Sequence, residues 1–383
     1  MASIEADSKL PGQMRAQFLD SFNTPYSLRS VPVPKLTNAN EVLIKVDAAS
    51  YCHTDAVLAA GQMPPNPPSF PHIGCHEFAG TIVALPADAV PSEFQIGDRV
   101  GVPGRSFHPC GKCFECATCP TAEAPDADSP GYSVYCPRSL NNGISAAGGF
   151  REYAVVDRRQ IAPIPEGMSA VDTAVLMCAG VTIYAALKRC QLTPGRRVGI
   201  MGCGGGLGHL GLQFAVKMGF KVVGVDVSDG PLKLAHDVAG GAYIVDARLE
   251  EAESVATRLG KEDGKSDRAD MGLDAVIILP ESQSAFDYGV ALLRNHGKCV
   301  VVSFPEKGFH LSARDVVFRD ISVVGSLVGS NKTLREMLQF AAENNVKARI
   351  QSFPLSRLNE LVDEYHKGAG GKLVIDMNLR DGD

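Results

Sequence analysis

Five cysteines in one stretch of this chain have the spacing of a metal centre. Four of them recur at every third position and a fifth follows a polar segment: Cys110, Cys113, Cys116, Cys119 and Cys136. Thiolates this close in sequence can converge on one soft metal ion, because short turns bring the sulfurs together. Two kinds of centre fit. One is a closed structural zinc site, and the other is an iron–sulfur cluster, since bacterial cluster motifs also repeat Cys-x-x-Cys and end in Cys-Pro.

Three further segments carry residue types that bind metals. They are Cys52-His53-Thr54-Asp55, Gly74-Cys75-His76-Glu77, and Cys178 within an apolar stretch. The separations between them along the chain define no motif by themselves. A lone cysteine in an apolar helix is usually a small core residue, and a lone histidine usually has a structural role. From the residues alone, these segments are candidates only.

A glycine-rich turn between a strand and a helix predicts a dinucleotide site. The predicted strand Val198–Met201 runs into Gly202, Gly205 and Gly208, where a helix begins. Glycines at such a turn let the backbone approach a pyrophosphate, which then lies at the positive N-terminus of the helix. The pattern is G-x-x-G-x-x-G and not G-x-G-x-x-G, so the motif is weak by itself.

An acidic residue at the end of the next strand strengthens this prediction. Asp226 ends the strand Lys221–Asp226 and lies 18 residues after Gly208. A carboxylate at this position would accept hydrogen bonds from both ribose hydroxyls. It would also repel a 2′-phosphate, so the sequence favours NAD over NADP.

Length and composition limit the class of protein. The chain has 383 residues, enough for two domains, and 45% of them are hydrophobic. The formal net charge of −6 and the lack of a Lys/Arg run argue against nucleic acid and anionic membranes as partners. We see no membrane span or secretory signal, and eleven cysteines without a signal favour reduced thiols. We therefore expect a cytoplasmic location.

The second half of the chain has the alternation of an α/β fold. Short Val- and Ile-rich strands alternate with helical stretches, as expected of parallel strands covered on both faces. The predicted strands are Val198–Met201, Lys221–Asp226, Ala242–Val245, Ala275–Leu279, Lys298–Ser303 and Ile321–Val324. Six such strands predict a doubly wound parallel sheet, preceded by a helix over Ala170–Lys188.

The first part of the chain is rich in short β segments. Val42–Asp47 and Phe78–Val83 are strand-like, and Pro and Gly interrupt the pattern around them. The tail beyond Ser326 has no sheet of its own, so we expect it to return to the first domain. The predicted domains are a β-rich one, residues 1–167 with 326–383, and a dinucleotide-binding one, residues 168–325.

Five motifs in this order resemble those of one enzyme family. They are Cys-His-Thr-Asp from Cys52, Gly-x-His-Glu-Phe-Ala-Gly from Gly74, Cys-x-x-Cys-x-x-Cys from Cys110, Leu-x-Cys-Ala-Gly-Val-Thr from Leu176, and Gly-Gly-Leu-Gly-His-Leu from Gly205. Together they are similar to the zinc-dependent alcohol dehydrogenases of the medium-chain dehydrogenase/reductase superfamily. The resemblance implies a Rossmann domain and a β-rich, GroES-like catalytic domain that holds the substrate and the zinc.

The resemblance implies a role for each metal-binding segment. Cys52, His76 and Cys178 would bind a catalytic Zn²⁺ and leave a fourth position open for the substrate. A second, structural Zn²⁺ would be bound by Cys110, Cys113, Cys116 and Cys136. Nineteen residues separate Cys116 from Cys136, more than is usual in the family. Cys119 therefore competes for the fourth ligand position, although the order of the cysteines favours Cys136.

The other site residues also follow from the resemblance. Thr54 would carry the alcohol proton away, Asp55 would orient the His76 ring, Glu77 would lie behind the zinc, and His53 would lie near the cofactor pyrophosphate. The expected cofactor-binding residues are Gly202, Gly205, Gly206, Leu207, Gly208, Asp226 and Thr182. The implied activity is an NAD-dependent alcohol dehydrogenase or aldehyde reductase. It would act on a small-molecule primary or secondary alcohol, or on the carbonyl compound, and would form a homodimer or homotetramer.

Two departures from the family pattern bear on proton transfer and on the substrate. Many members have a relay histidine six residues after the threonine, where this chain has Ala60. In family members that act on small alcohols, a Trp narrows the substrate pocket, and this chain has no Trp. The segment Gln62–Pro68 corresponds to the part of the family sequence that carries this Trp. We therefore expect a wider pocket and a substrate bulkier than ethanol. Three alternatives stay open: a reductase for an activated C=C bond, an iron–sulfur electron carrier, and a non-catalytic NAD sensor.

Overall fold

A computed structural model describes residues 4–6, 10–86, 93–104, 107–117, 132–368 and 370–380 of the chain. Its first half is built from strands with two short helices. These elements are β1 Ile4–Ala6, β2 Gln13–Phe18, β3 Ser27–Pro32, β4 Glu41–Tyr51, α1 His53–Ala59, β5 Glu77–Pro86, β6 Arg99–Pro103, α2 Phe114–Ala117, β7 Tyr153–Asp157 and β8 Ala162–Pro163. β2 and β3 form a separate antiparallel pair, and the other strands belong to one mixed sheet.

A long buried helical segment follows the β-rich half. It consists of α3 Ala170–Val175, a π-helical turn Leu176–Gly180, and α4 Val181–Arg189. By length and composition this segment could cross a membrane, but 78% of its apolar window is buried within the protein. α3 packs against β4 and β5. The segment is therefore the core helix between the two halves of the chain.

The second half forms the predicted doubly wound sheet. Its elements are β9 Arg197–Met201, α5 Gly208–Lys217, β10 Lys221–Asp226, α6 Asp229–Val238, β11 Tyr243–Asp246, α7 Ala252–Glu262, β12 Leu273–Ile278, α8 Gln283–Leu292, β13 Leu293–Val301, α9 Ala313–Arg319 and β14 Ser322–Gly325. The six strands are parallel, in the order β11-β10-β9-β12-β13-β14. The sequence prediction of the fold class is confirmed, although β13 begins earlier than predicted, at Leu293.

The tail divides between the two halves. It contains α10 Asn331–Asn344, β15 Ile350–Phe353, α11 Leu358–His366 and β16 Lys372–Asp376. β16 pairs with β4 and β15 pairs with β16, so these strands extend the first sheet. α10 instead packs mainly on α4, against the core helix. The domain limits near residues 167 and 325 stay a prediction.

The order of strands in the first sheet brings the ends of four strands together along one edge of that sheet. β16, β4, β5 and β6 are neighbours, each antiparallel to the next. Leu373 therefore lies beside Tyr51, Ser50 beside Glu77, and Glu77 beside Pro103. Residues that follow β4 and β6, or precede β5 and β16, must lie close together in space, although they are far apart in sequence.

Candidate functional site

Three possible metal ligands converge at this edge. Cys52 follows β4 and is the N-cap of α1, His76 precedes β5, and Cys178 lies in the π-helical turn. Their donor atoms all lie within 4.8 Å of one another. Strand pairing brings the first two together, and the packing of the core helix on β5 and β6 brings the third. The structure thus joins residues whose sequence spacing defines no motif.

The π-helical turn differs from the continuous helix that the sequence predicts. One extra residue in a turn widens the helix locally, and such turns occur often at functional sites. The backbone N–H of Ala179, inside this turn, donates a hydrogen bond of 3.4 Å to Oε2 of Glu77. The helix therefore contacts the first sheet through its irregular turn, next to Cys178.

The Asp55 carboxylate links the two segments that carry Cys52 and His76. It accepts hydrogen bonds of 2.9 Å from the backbone N–H groups of Cys52 and Cys75. Nδ1 of His76 lies 3.7 Å from Asp55 Oδ2 and has no hydrogen bond among the described residues. With Nδ1 facing the carboxylate, the imidazole offers Nε2 to the sulfurs. This geometry fits the orienting role expected of Asp55.

Two backbone features hold His76 in place. Gly104 follows β6 and lies against the His76 side chain, where an added Cβ would come within 2.3 Å of the His76 Cβ. Cys75 has a φ of 76°, in the left-handed region that favours glycine. Its Sγ lies 3.4 and 3.3 Å from the backbone carbonyl oxygens of Ser50 and Glu77, and the single S–H is shared between these two acceptors. The loop before β5 is therefore tightly constrained next to the possible ligand.

A buried ion pair lies behind the three donors. Lys372, at the start of β16, contacts Glu77 Oε1 through its Nζ and donates a hydrogen bond of 3.0 Å to the Tyr51 carbonyl. Ser50 Oγ also donates to Glu77, at 2.8 Å. Burial raises the pKa of the Glu77 carboxyl, and the charge of Lys372 opposes this rise and favours the carboxylate. The sequence analysis missed Lys372. The one feature of the sequence that could have indicated it is its position as a charged residue at the start of an otherwise apolar strand.

The surroundings of Cys52 favour its thiolate. A hydrogen bond with Cys178 lowers the pKa of Cys52 well below its usual value, and the positive charges of Lys372 and His76 add to this effect. The thiolate is the form of cysteine that binds a metal. Two sulfurs and one imidazole nitrogen are the donor set of a catalytic zinc site with one open position.

All three donors line a cavity of about 750 Å³. One wall comes from the β-rich half and includes His53 and Thr54, with Thr54 Oγ1 3.9 Å from Cys52 Sγ. The facing wall comes from the carboxyl ends of the doubly wound strands, where ligands bind in such sheets. Every residue predicted to bind the cofactor lies on this cavity: Gly202, Gly205, Gly206, Leu207, Gly208, Asp226 and Thr182.

The glycine turn leaves room for a ligand at two of its positions. An added Cβ would meet Pro231 O at 1.9 Å from Gly204 and Gly202 O at 2.1 Å from Gly208, so packing excludes side chains there. At Gly205 and Gly206 the nearest atoms would lie at 3.4 and 3.3 Å. Packing within the protein therefore does not by itself require glycine at these two positions. Close approach of a pyrophosphate to the backbone would explain why both are glycine.

The Asp226 carboxylate ends β10 at this turn. Its Oδ2 accepts a hydrogen bond of 3.1 Å from the Gly204 N–H, and its Oδ1 accepts one of 2.8 Å from the Val227 N–H. These contacts fix its direction while it still lines the cavity. Asp226 is therefore placed where the sequence predicts a contact with the ribose.

His53 has partners that the sequence did not indicate. Its Nδ1 lies 2.7 Å from the Tyr365 hydroxyl, and its Nε2 lies 3.8 Å from Glu281. The side chain is 60% exposed. Tyr365 and Glu281 come from distant parts of the chain, so no local pattern could have joined them to His53.

A second cluster of four sulfurs lies in the cysteine-rich stretch. The sulfurs of Cys110, Cys113, Cys116 and Cys136 all lie within 4.8 Å of one another. The Cys110 N–H donates to Cys136 Sγ at 3.4 Å, and Cys113 Sγ lies 3.9 Å from the same atom. Hydrogen bonds from the Lys112 and Cys113 N–H groups lower the pKa of Cys110 to about 6. Cys119 lies outside the described residues.

Comparison with known proteins agrees with this geometry. Residues 38–166 match the alcohol dehydrogenase GroES-like domain, and residues 206–343 match the zinc-binding dehydrogenase family. An alcohol dehydrogenase of Geobacillus stearothermophilus is 34% identical over 365 residues, which cover 95% of this chain and 99% of the relative. The chain belongs to the zinc-dependent alcohol dehydrogenases.

Two further comparisons extend this result. Alcohol dehydrogenase 1 of Neurospora crassa is 31% identical over 372 residues, covering 97% of this chain and 99% of that protein. The crystal structure of the alcohol dehydrogenase from Aeropyrum pernix is 26% identical, with a TM-score of 0.77 over 94% of this chain and 99% of that one. The GroES-like fold expected from the sequence is thus confirmed.

Zinc is the metal of this family, and the two clusters of sulfur and nitrogen donors are the candidate sites for it in this chain. The four-sulfur cluster has the closed donor set of a structural zinc site. The three-donor cluster opens onto the cavity, as a catalytic site requires. Membership of a zinc-binding family removes the reason to assign the cysteine-rich stretch to an iron–sulfur cluster.

The fourth ligand of the structural site can be tested with two serine variants. We expect Cys136→Ser to lose one zinc per chain and to lower the melting temperature by at least about 5 °C, because a structural zinc contributes directly to folding. Cys119→Ser is the matched control and should retain zinc and stability. Elemental analysis and thermal unfolding measure both. Zinc loss in Cys119→Ser, with zinc retained in Cys136→Ser, would assign the ligand to Cys119.

Proposed function

We propose that this alcohol dehydrogenase oxidises a primary or secondary alcohol with NAD, and reduces the corresponding carbonyl compound, at the cluster of Cys52, His76 and Cys178. The observation that carries the proposal is that all three donors line one cavity together with the glycine turn and Asp226. A substrate oxygen can thus reach the open side of the cluster from the same space that receives the nicotinamide.

The chain contributes proton handling and positioning. When bound, Zn²⁺ supplies Lewis acidity at the substrate oxygen, and the nicotinamide accepts or supplies a hydride. Thr54 lies on the cavity wall beside Cys52, where its hydroxyl can accept the proton that the alcohol loses. Ala60 at the end of α1 offers no acceptor, so Thr54 releases its own proton to water in the cavity, without the relay histidine found in many family members.

Asp55, Glu77 and Lys372 act behind the ligands. Asp55 keeps the His76 ring in one orientation and fixes the N-terminus of α1. Glu77 and Lys372 form a buried pair whose charges largely cancel. We propose that the pair sets the electrostatic potential at the three metal-binding side chains. We also propose that His53 lies near the pyrophosphate of the bound cofactor.

The aliphatic lining of the substrate wall supports a substrate bulkier than ethanol. Met63, Val134 and Ile144 line the cavity on the side of the β-rich half, and the chain has no Trp to narrow it. A larger apolar group would fill this space and gain the free energy of leaving water.

For the assembly we propose a homodimer or homotetramer. β14 is an edge strand of the doubly wound sheet. Near it in the chain, Val317 and Phe318 are 71% and 76% exposed. These two side chains belong to α9, the helix that leads into β14, and an edge strand next to an exposed apolar surface can pair with a second copy. We propose the cytosol as the location.

The activity and the substrate size can be tested together. Purified enzyme with NAD should oxidise benzyl alcohol with a kcat/KM at least about tenfold above that for ethanol, because each methylene that fills an apolar pocket adds binding free energy. The absorbance of NADH measures both rates. No turnover of any alcohol or aldehyde would contradict the function, whereas equal or better use of ethanol would contradict the size preference alone.

The cofactor preference can be tested at Asp226. Replacing it with glycine removes the carboxylate that would repel a 2′-phosphate, so we expect the ratio of kcat/KM for NADP to that for NAD to rise by about tenfold or more. Asp246→Gly, at the matching position in the next strand β11, is the control because Asp246 does not line the cavity. An unchanged ratio in Asp226→Gly would remove Asp226 from the ribose site.

A further inference from the structure

Two asparagines lie on the substrate wall of the cavity. Asn66 follows α1 in the chain, and Asn141 precedes β7. Both line the same cavity as Cys52, His76 and Thr54, and both are half-buried. Their neighbours on this wall are the apolar residues described above, so the two carboxamides are polar groups in a mostly aliphatic surface.

The backbone holds these asparagines in place, and their side chains are available. The Asn66 N–H donates to the Met63 carbonyl at 2.8 Å, and the Asn141 carbonyl accepts from the N–H groups of Ile144 and Ser145 at 3.1 and 3.0 Å. Within the described part of the chain, neither carboxamide makes a side-chain hydrogen bond. Each therefore offers two N–H donors and one acceptor oxygen to whatever enters the cavity.

The charged groups of the cavity are engaged elsewhere. Apart from the metal ligands, the ionisable residues on its described lining are His53, Asp226 and Glu281. Asp226 is fixed at the glycine turn, and His53 lies between Tyr365 and Glu281. Among the residues that the structure describes, a charged group on the distal part of a substrate would therefore find no oppositely charged partner beside Asn66 or Asn141.

A bound substrate that is wholly apolar would cover these carboxamides without replacing their hydrogen bonds to water. Leaving a polar group buried and unpaired costs about 1–3 kcal/mol. A hydroxyl or carbonyl group on the substrate avoids this cost. For the same reason, sites with hydrogen-bonding groups discriminate strongly against analogues that lack the partner group.

We propose that Asn66 and Asn141 select neutral substrates that carry a hydroxyl or carbonyl group away from the reacting carbon. This inference rests on the proposed alcohol–carbonyl interconversion and specifies its substrate class. The reacting oxygen binds at the three-donor cluster, and the second polar group binds the carboxamides. Apolar contacts with Met63 and Ile144 hold the carbon skeleton between them.

The test uses pairs of aldehydes that differ little in size or electronic character. The first pair is 4-(hydroxymethyl)benzaldehyde and 4-ethylbenzaldehyde. The second pair consists of the corresponding meta isomers, and NADH is the reductant for both. Wild-type enzyme should prefer the hydroxymethyl member of at least one pair by about tenfold in kcat/KM. Asn66→Leu or Asn141→Leu should remove most of that preference, mainly by lowering the rate for the hydroxymethyl compound.

Two controls make the result specific. Met63→Leu changes the shape of the same wall but not its polarity, so it should shift both members of a pair together and leave their ratio unchanged. Asn66→Ala and Asn141→Ala replace either leucine variant that does not fold, as judged by circular dichroism. A wild-type preference for the ethyl compounds, or no preference in either pair, would overturn the proposal.

The proposal also fails if the preference for the hydroxymethyl compounds is unchanged both in the Asn66 variant and in the Asn141 variant. Such a result would still leave the proposed function intact, because both aldehydes would be reduced. The reverse failure is distinguishable, because an enzyme that reduces neither member of any pair and oxidises no alcohol would contradict the proposed function itself.

Discussion

The burial of charge at one edge of the first sheet is the constraint on which the rest of the structure depends. The Cys52 thiol, the His76 imidazole and the carboxylates of Asp55 and Glu77 are withdrawn from water there, and Cys178 lies partly exposed beside them. Buried charges are costly unless they are paired and hydrogen-bonded. Lys372 balances Glu77, and backbone N–H groups satisfy Asp55. The Cys52 thiolate faces the same requirement, and a divalent metal ion held by the three donors would supply positive charge there.

The fold meets this constraint by strand order. β16, β4, β5 and β6 are neighbours, so Lys372, Cys52, His76 and Gly104 meet at one edge although they are distant in sequence. The core helix completes the site with its π-helical turn, which places Cys178 and gives Glu77 a backbone donor. Because α4 continues from this turn and also packs on α5, the helix links the three-donor cluster to the element that begins at the glycine turn.

The sequence predicted the parts of the site that are local. The turn from β9 to α5 and Asp226 at the end of β10 were recognisable because strand, turn and helix follow one another directly. Cys52, His76 and Cys178 could be joined only through a family resemblance, since strand pairing and not spacing brings them together. Lys372 and Tyr365 were missed for the same reason. The π-helical turn was also missed, because hydrophobic periodicity predicts a continuous helix there.

The central claim is that Cys52, His76 and Cys178 hold the zinc at which the chemistry occurs. Elemental analysis and alcohol turnover, measured on the same preparations of wild type and Cys178→Ala, test it most directly. We predict about two zinc ions per chain in wild type. The folded variant should hold one, with turnover reduced by at least about a thousandfold because the metal-dependent barrier reduction is lost. A variant that retains both zinc ions and normal turnover, or a wild-type enzyme that contains iron in place of zinc, would contradict the account.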